Sequence, residues 1–363
     1  SKKEIQKSIR SLSPEIKKAI DETYKRVKDW HVKQKPKDIF YKDKLNNKFY
    51  YKNKSISSMA CYVPGNLPST LIMCATPAII AGVKRIVLCT PSLNGKLNGA
   101  VYYAASVLGI KECYSLGGAS AIMALAMGTK KVKAVDKICG PGSKWVALAM
   151  RRVFLEGLCG IQAANMGPSE ILCVADSSTS PEIVASSMIA QSEHDIEAMA
   201  ILLSKDKKLV KKIEMSITKQ LKNLPRKKIA EKSLKTNGLL IQAKNDKNII
   251  DLINLISPEH LELNVSKPKK YLNKIVNAGS ICVGKFSAMA VTDYNVGTNH
   301  VLPTMGSARF SSGLNVSDFY KKISYINLSK KGIEVIGKQA ITLAEYENLE
   351  GHAQSIRSRI RSN

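Results

Sequence analysis

The sequence predicts an α/β fold with doubly wound, mostly parallel sheets and helical segments at both ends of the chain. Short apolar runs of strand length alternate with helix-like segments, as parallel strands joined by crossover helices require. Glycines and other small residues stand where a strand would turn into the next helix. The alternation occurs in two stretches, residues 62–162 and 163–308, which indicates two α/β units.

The strands and helices of both units follow from the spacing of apolar residues. In the first unit the predicted strands are residues 84–91, 112–116 and 137–139, and the predicted helices are residues 97–108 and 117–127. In the second unit the predicted strands are residues 170–175, 198–203, 239–241 and 281–283, and the predicted helices are residues 181–194 and 206–224. Glycine turns at Gly117-Gly118 and at Gly140 join strand to helix, which is typical of a doubly wound sheet.

The segments outside the two units, residues 1–61 and 309–363, are predicted to be helical. Ser13-Pro14 begins a helix in the first of them, because apolar residues recur there at spacings of three and four. His31 follows this helix, and we interpret it as a packing or surface residue, since no compact group of ligands stands near it in the sequence.

The net charge of +27 comes from 56 Lys and Arg residues against 29 Asp and Glu residues. Such a balance is compatible with a nucleic-acid or anionic membrane surface. However, the lysines are spread in short runs, and aromatic residues are only 6% of the chain and do not alternate regularly with them. We therefore interpret most of the charge as solvated surface, and a nucleic-acid partner is not expected.

Cysteine usage and hydropathy predict a cytoplasmic protein without membrane association. The eight cysteines are scattered without C-x-x-C spacing, and several lie inside apolar runs. They are therefore predicted to be buried, reduced thiols and not disulfides or zinc ligands. No run approaches the roughly 20 apolar residues that a membrane-spanning helix requires, and the amino end is rich in lysine, unlike a signal peptide.

The chemistry of the chain is predicted to centre on Glu259-His260. This ionisable pair lies between a Ser-Pro turn signal and a short strand-like run, where a scaffold ends and a pocket can begin. The chain has only five histidines, and three of them, His194, His260 and His300, stand beside a Glu, Asp or Asn. A carboxylate next to an imidazole suits acid/base catalysis, although a plain surface turn remains an alternative.

Two further segments carry possible ligands for an ion. Gln191 and His194 are three residues apart at the end of a predicted helix, so their side chains could project from one face. Residues 292–304 bring Asp293, a glycine turn and His300 into one loop. The plainer alternatives are a helix cap or packing residue for His194 and an Asx-turn network around His300.

Glu347 and His352 follow both α/β units, so they would have to fold back onto the site or serve a neighbouring subunit. A solvated acidic helix face is the alternative there. Together these segments supply a nitrogen and oxygen ligand set that suits zinc or a similar divalent ion, namely Gln191, His194, Asp293 and His352. Glu259 and His260 would then remain free to move protons.

Signals for a nucleotide cofactor are weaker. The chain has no G-x-G-x-x-G fingerprint, but the segments ending at Ser120 and Ser143 each place small residues at a strand-to-helix turn. The N–H groups of a helix amino end can bind phosphate at such a turn. Either turn could instead be only a tight connection.

The chain resembles the histidinol dehydrogenase family over residues 12–357, nearly its whole length. Five motifs occur in the family's order, namely Tyr62-Val63-Pro64-Gly65, Gly167-Pro168-Ser169-Glu170, Gln191-Ser192-Glu193-His194, Pro258-Glu259-His260-Leu261 and Gly297-Thr298-Asn299-His300-Val301-Leu302-Pro303-Thr304. The resemblance implies two incomplete Rossmann-like units. It also implies a zinc- and NAD-dependent oxidation of L-histidinol to L-histidine through the aldehyde.

The resemblance further implies roles for individual residues. The zinc ligands, which would also contact the substrate, would be Gln191, His194, Asp293 and His352. Glu259 and His260 would be the acid/base pair, with Glu259 activating the water that attacks the aldehyde and His260 also contacting the substrate. Ser169 and Glu347 would hold the substrate, and Tyr62 would lie against NAD. The family's NAD-contacting Gln and Asn positions are Ser120 and Ser143 in this chain.

The family is a homodimer whose carboxyl-terminal segment completes the partner's active site, which would explain the late position of Glu347 and His352. Two other hypotheses remain open at this point. One is a related zinc and NAD dehydrogenase of another primary alcohol, and the other is a non-catalytic basic binding protein with the same fold. The retained ligand set beside Glu259 argues against the second, because binding to phosphates needs none of these residues.

Overall fold

The computed structural model describes residues 2–92, 98–162 and 167–361. The chain divides into two compact units. The first consists of Ser1–Gln34 and Ser57–Phe319, and the second consists of Lys35–Ile56 and Tyr320–Asn363. Among the described residues, the strands form two five-stranded parallel sheets in the first unit and one three-stranded antiparallel sheet in the second.

The elements are numbered here in chain order. The strands are β1 (Ile39–Lys42), β2 (Lys48–Ser55), β3 (Ser58–Tyr62), β4 (Arg85–Cys89), β5 (Glu112–Tyr114), β6 (Lys137–Cys139), β7 (Gly160–Ile161), β8 (Glu170–Ala175), β9 (Met199–Ser204), β10 (Gly238–Gln242), β11 (His260–Asn264), β12 (Ser280–Val283) and β13 (Tyr320–Asn327). The helices are α1 (Lys2–Arg10), α2 (Pro14–Val32), α3 (Pro68–Ala81), α4 (Gly99–Val107), α5 (Gly118–Met127), α6 (Lys144–Leu155), α7 (Pro181–Ser192), α8 (Lys207–Leu221), α9 (Lys227–Asn237), α10 (Asp246–Ile256), α11 (Lys269–Leu272), α12 (Met289–Thr292), α13 (Lys330–Tyr346) and α14 (Glu350–Arg361).

The first sheet has the strand order β5-β4-β3-β6-β7, and all of its pairings are parallel. Its central strand β3 is buried along its whole length. α5 and α6 cover one face through buried side chains such as Ile122, Leu125 and Met150. The strand order reverses between β3 and β6, and crevices at such reversals bind ligands in doubly wound folds. The predicted parallel sheet is confirmed.

The second sheet repeats this topology with the order β10-β9-β8-β11-β12, again with parallel pairings throughout. β8 and β11 are buried at every position, and they are the strands at which the order reverses. Met188 and Ile213 pack on one face of the sheet, and Ile253 packs on the other. Apolar layers on both faces explain why these strands appear in the sequence as continuous apolar runs.

Capping side chains set the starts of several predicted helices. α2 begins after Ser13, whose hydroxyl accepts a hydrogen bond from the Ile16 N–H, as expected from the sequence. α4 begins at Gly99 because the Asn98 side chain caps it. The predicted start of that helix at residue 97 lies outside the described residues.

The terminal segments are helical only in part, which corrects the expectation for residues 1–61 and 309–363. β1, β2 and β13 form an antiparallel sheet in the order β1-β2-β13, with Tyr50 opposite both Phe40 and Tyr325. The alternation of period two in these strands is obscured, because lysines and aromatic residues follow one another on both faces. α13 and α14 confirm the helical prediction for the end of the chain.

The cysteines match their prediction. All eight are free thiols, and all but Cys113 are buried. Burial raises the pKa of the Cys139 thiol to about 12, which keeps it protonated and unreactive. Within the described part of the chain, no helix is long and apolar enough to cross a bilayer.

Candidate active site

The candidate active site lies at the amino ends of β8 and β11. The chain leaves α10 through Ser257, which adopts the left-handed conformation (φ 52°) and donates its N–H to the Ile253 carbonyl. This turn, followed by proline, delivers Glu259 and His260 to the start of β11. The two residues are 5% and 3% exposed, respectively. The predicted surface-turn alternative is therefore excluded, since both side chains are buried.

Glu259, His260 and Asp293 come together in this structure. The Nε2 atom of His260 lies 3.9 Å from Glu259 Oε1 and 3.9 Å from Asp293 Oδ1. The other oxygen of Glu259, Oε2, accepts a hydrogen bond of 2.8 Å from the backbone N–H of Glu170. An imidazole between two carboxyl groups is an arrangement that can transfer protons.

Burial shifts the protonation of all three groups toward their neutral forms. It raises the pKa of Glu259 well above its ordinary value, and the nearby charges of Glu170 and Asp293 raise it further, whereas the Glu170 N–H opposes the shift. Burial lowers the pKa of His260 to about 3 and raises the pKa of Asp293 to about 7. A cation bound nearby would reverse this balance for the carboxyl groups and favour their charged forms.

Gln191 has a buried side chain without a partner. It lies on α7 and is 0% exposed, and in the described part of the chain neither its Oε1 nor its Nε2 makes a hydrogen bond. A buried amide in this state is destabilising unless a ligand satisfies it. The carboxamide oxygen is therefore available to an ion or a substrate.

His194 lies just beyond α7, not on it. α7 ends at Ser192, Glu193 caps it, and the His194 N–H bonds to the Gln191 carbonyl at 3.2 Å in a final tight turn. The predicted helix end at His194 is therefore wrong, because α7 stops two residues early. The His194 side chain keeps exposed surface, and partial desolvation lowers its pKa.

Asp293 and His300 are fixed by the same loop. Glu262 in β11 accepts the Met289 N–H at 2.7 Å and so holds the start of α12, which Asp293 caps at its other end. The Asp293 carbonyl accepts a 2.7 Å hydrogen bond from His300 Nδ1. That bond assigns the imidazole proton to Nδ1 and leaves the Nε2 lone pair of His300 free. The charges of His300 and His194 add to the effect of burial in lowering the pKa of His260.

His31 is a buried packing residue, which is one of the two alternatives predicted for it. It also supports the loop that carries His300. Its Nδ1 donates to the Val27 carbonyl at 2.7 Å. Asn299 donates one amide hydrogen to the Met73 carbonyl at 2.7 Å and contacts His31 Nε2 at 3.3 Å. His31 thereby anchors the residue that precedes His300. This contact could not be predicted from the sequence, because His31 and Asn299 are far apart in the chain.

Glu170 was not identified as a site residue from the sequence. It begins β8 directly after Ser169, and its side chain is buried. Glu170 Oε1 accepts the Met305 N–H at 2.8 Å, whereas its Oε2 has no hydrogen-bond partner among the described residues. The signal in the sequence that could have identified Glu170 was a carboxylate as the first residue of an otherwise apolar strand. Ser169 itself is half-buried, and its carbonyl accepts the Met199 N–H.

The cofactor residues predicted in the first sheet lie at the opposite, carboxyl edge. Tyr62 ends β3, and its hydroxyl accepts the Gly118 N–H at the start of α5 at 3.0 Å. Gly140 directly follows β6 with φ 124°, and a Cβ there would lie 1.9 Å from the Tyr62 carbonyl oxygen, so only glycine fits. Ser120 and Ser143 are both exposed near the amino ends of α5 and α6.

Glu347 and His352 belong to the second compact unit. Glu347 caps α13, His352 lies in α14, and both side chains are exposed. Over the described residues, no three His, Cys, Asp or Glu side chains come close enough to hold a metal ion. Within the described part of the single chain, Asp293 lies beside His260, but no side-chain contact joins Gln191, His194 and Asp293, and the contribution of His352 is not tested.

A family profile described as histidinol dehydrogenase matches residues 1–360. The histidinol dehydrogenase of Pelagibacter ubique is 55% identical over 362 residues, which cover 99% of this chain and 84% of that protein. Histidinol dehydrogenase 1 of Trichormus variabilis is 42% identical over 351 residues, which cover 96% of this chain and 81% of that protein.

Solved structures give the same result. The crystal structure of histidinol dehydrogenase from Elizabethkingia anophelis superposes with a TM-score of 0.95 at 36% identity, covering 100% of this chain and 84% of that chain. An acetylating aldehyde dehydrogenase from Geobacillus thermoglucosidasius shares only the fold, with a TM-score of 0.56 and 14% identity over 89% of this chain and 94% of that chain. The chain therefore belongs to the histidinol dehydrogenase family, the NAD-dependent oxidoreductases of histidine biosynthesis that oxidise L-histidinol to L-histidine.

Proposed function

We propose that this chain oxidises L-histidinol with a zinc ion and NAD, at a site completed by a second copy of the chain. The observation that carries the proposal is the buried, unpartnered amide of Gln191 in the same unit as the Glu259, His260 and Asp293 group. A fold without a ligand gains nothing from an unsatisfied amide of this kind.

The residues fit a divalent ion. Gln191 offers a free oxygen, and Asp293 offers a carboxylate whose pKa burial raises to about 7, so a cation would stabilise its charged form. His194 keeps an exposed imidazole with a lowered pKa, which leaves a nitrogen lone pair available near neutral pH. His352 would supply the fourth ligand. Nitrogen and oxygen donors without thiolates suit an exchangeable zinc ion.

The residues also fit a dinucleotide at the carboxyl edge of the first sheet. Tyr62 and Gly140 stand at the strand reversal, where the missing Cβ of Gly140 allows close approach of the backbone. In the described structure, the hydroxyl of Ser143 makes no capping hydrogen bond with α6 and remains available. Ser120 at the start of α5 would be the second hydroxyl on this side. Both serines are shorter than the family's residues and have less reach, and the Ser120 hydroxyl already donates to the Gly117 carbonyl at 3.4 Å.

Protons are moved by Glu259 and His260 in this proposal. When bound, zinc would polarise the substrate oxygen and NAD would accept the hydride. His260 has its pKa lowered to about 3, so it is neutral and can accept the hydroxyl proton of the alcohol. Glu259 has a raised pKa, which makes its carboxylate a strong base for the water that attacks the aldehyde. Ser169, Glu347 and the zinc ligands would orient the substrate.

A homodimer is supported by the surface of the second unit. Phe40, Ile326 and Tyr346 are 57%, 66% and 86% exposed there, and a second subunit would cover apolar surface of this kind. The same unit carries Glu347 and His352, so its docking on a second copy would bring both residues to that copy's site. We also infer a cytoplasmic location, because eight free thiols suit a reducing compartment.

Purified protein tests the proposal directly. With zinc and NAD, histidinol should yield histidine with reduction of two NAD per molecule, and metal analysis should find zinc bound. A panel of other primary amino alcohols is the specificity control. Bound zinc without NADH or histidine would refute the assignment, and activity that survives complete removal of metal would refute the role of zinc.

A further inference from the structure

Glu170 connects the proposed base Glu259 with the loop that presents His300. Its backbone N–H fixes one oxygen of Glu259 at 2.8 Å, and its carboxyl oxygen Oε1 holds the Met305 N–H at 2.8 Å. Met305 closes the loop that begins at Gly297 and contains His300. One residue therefore contacts both the proposed base and the end of the loop that presents His300.

The Met305 end of this loop needs such an anchor. Met305 has φ 54°, a left-handed conformation that a residue with a long side chain rarely adopts without constraint. Next to it, Thr304 Oγ1 accepts the Gly167 N–H at 2.7 Å, from the segment just before Glu170. A Cβ at Gly167 would lie 2.4 Å from the Met305 side chain, so the two segments pack closely. Glu170 and Gly167 thus each hold the loop against the start of β8 through a hydrogen bond, Glu170 by accepting the Met305 N–H and Gly167 by donating to Thr304.

The position of Glu170 in the sheet makes this contact direct. β8 and β11 pair in parallel with His260 opposite Ile171, so Glu259 and Glu170 are neighbours at the ends of these strands. Both side chains are buried, and the second carboxyl oxygen of Glu170 has no hydrogen-bond partner in the described structure. The charged or titratable groups that act on Glu259 and His260 are Glu170, Asp293, His300 and His194. A purely structural site would not require a carboxyl group beside the proposed base, because burial without full pairing is unfavourable.

We propose that Glu170 is a positioning residue for the oxidation of the aldehyde, setting the distance between Glu259 and the His300 loop through its acceptor contact with Met305. The inference rests on the proposed acid/base role of Glu259. Misplacing a catalytic group by about 1 Å can lower a rate roughly 100-fold. Loss of the anchor should therefore slow the step that depends on Glu259 more than it weakens substrate binding.

The test compares Glu170→Ala with Glu170→Gln in the zinc-loaded enzyme. Glu170→Gln keeps an oxygen for the Met305 N–H and should retain at least a third of wild-type kcat for histidinaldehyde oxidation. Glu170→Ala loses the acceptor and should lower that kcat about 10- to 100-fold with KM and zinc content nearly unchanged. Asp176→Asn is the matched control, because Asp176 stands just beyond the other end of β8 and its carboxylate also accepts backbone N–H groups, from Ser178 and Ser266.

The outcomes separate the possible roles. Equal losses in Glu170→Ala and Glu170→Gln, or losses that follow a lower melting temperature and a smaller folded fraction, would overturn the positioning role. An unaffected Glu170→Ala enzyme would overturn it as well. If wild type itself shows no activity with histidinol, the proposed function fails first, and this result is recognised before any variant is compared.

Discussion

Replacing Glu259 with Gln separates its chemical role from its structural one. Glutamine has nearly the same shape and keeps an oxygen for the Glu170 N–H, which lies 2.8 Å from Glu259 Oε2. It cannot take a proton from water. Removing a general base typically lowers a rate about 10²- to 10⁴-fold, so the aldehyde step should slow by that factor. Zinc content should stay near wild type, because Glu259 is not among the proposed ligands.

The same substitution has a predicted effect on stability that depends on pH. Burial, together with repulsion from Glu170 and Asp293, raises the pKa of Glu259 well above its ordinary value. The protonated carboxyl therefore contributes stability that is complete below the unfolded pKa of about 4.3 and is lost as the pH rises towards the folded pKa. Each unit of the rise corresponds to about 1.4 kcal/mol. Glu259→Gln carries no such proton, so metal-free variant protein should become more stable relative to metal-free wild type as the pH rises.

Two assays check this pair of expectations. Rapid-mixing kinetics with histidinaldehyde and NAD measures the aldehyde step, and urea unfolding of metal-free protein between about pH 5 and about pH 8 measures the difference in the free energy of unfolding. Parallel stability curves for variant and wild type would show that Glu259 does not have a raised pKa. Loss of zinc in Glu259→Gln, or an unchanged aldehyde step, would refute the role assigned to this residue.

Three further predictions follow from the same site. Gln191→Leu should raise the melting temperature of metal-free protein, because it removes a buried amide without partners, and should abolish the additional stabilisation by zinc; calorimetry with and without zinc measures both effects. Mixing inactive His352→Ala and Glu259→Gln proteins under conditions that exchange subunits should restore about a quarter of wild-type activity. Half of the dimers would then be mixed, and each mixed dimer would hold one intact site of its two. An absence of recovery would place His352 in its own chain's site. Gly140→Ala should cost at least about 2 kcal/mol of stability and weaken NAD binding in a titration, because its Cβ would meet the Tyr62 carbonyl at 1.9 Å. Gly82→Ala, at φ 87°, should cost only about 1 kcal/mol, because its Cβ would meet no non-neighbouring atom of the described residues within 4 Å.

The sequence was sufficient for the two parallel sheets, because their strands are continuous apolar runs separated by glycine turns. It was insufficient for the sheet of β1, β2 and β13, in which β2 pairs with the distant strand β13 and the strands have solvent on much of their surface. Their residues carry no clear alternation of apolar and polar side chains. A pairing of this kind depends on contacts over long sequence separations, and local patterns do not encode it.

The site was predictable where its residues are adjacent in the chain, as Glu259 and His260 are. It was not predictable where support comes from distant elements. His31 lies on α2, yet it contacts Asn299, and Glu170 begins a strand that pattern analysis treats as uniformly apolar. The end of α7 before His194 was also missed, because no glycine or proline marks it.

The two sheets share one topology but use opposite edges. In the first sheet, Tyr62 and Gly140 stand at the carboxyl ends of the strands flanking the reversal, which is where ligands usually bind in such folds. In the second sheet, Glu170 and Glu259 stand at the amino ends of the equivalent strands, β8 and β11. At that edge the carboxylates of Glu170 and Glu259 are buried, and the backbone N–H of Glu170 on β8 orients the carboxylate of Glu259 beside β11. A search restricted to carboxyl edges would find the proposed cofactor residues and miss every proposed acid/base residue, so the rule for doubly wound folds locates only half of this site.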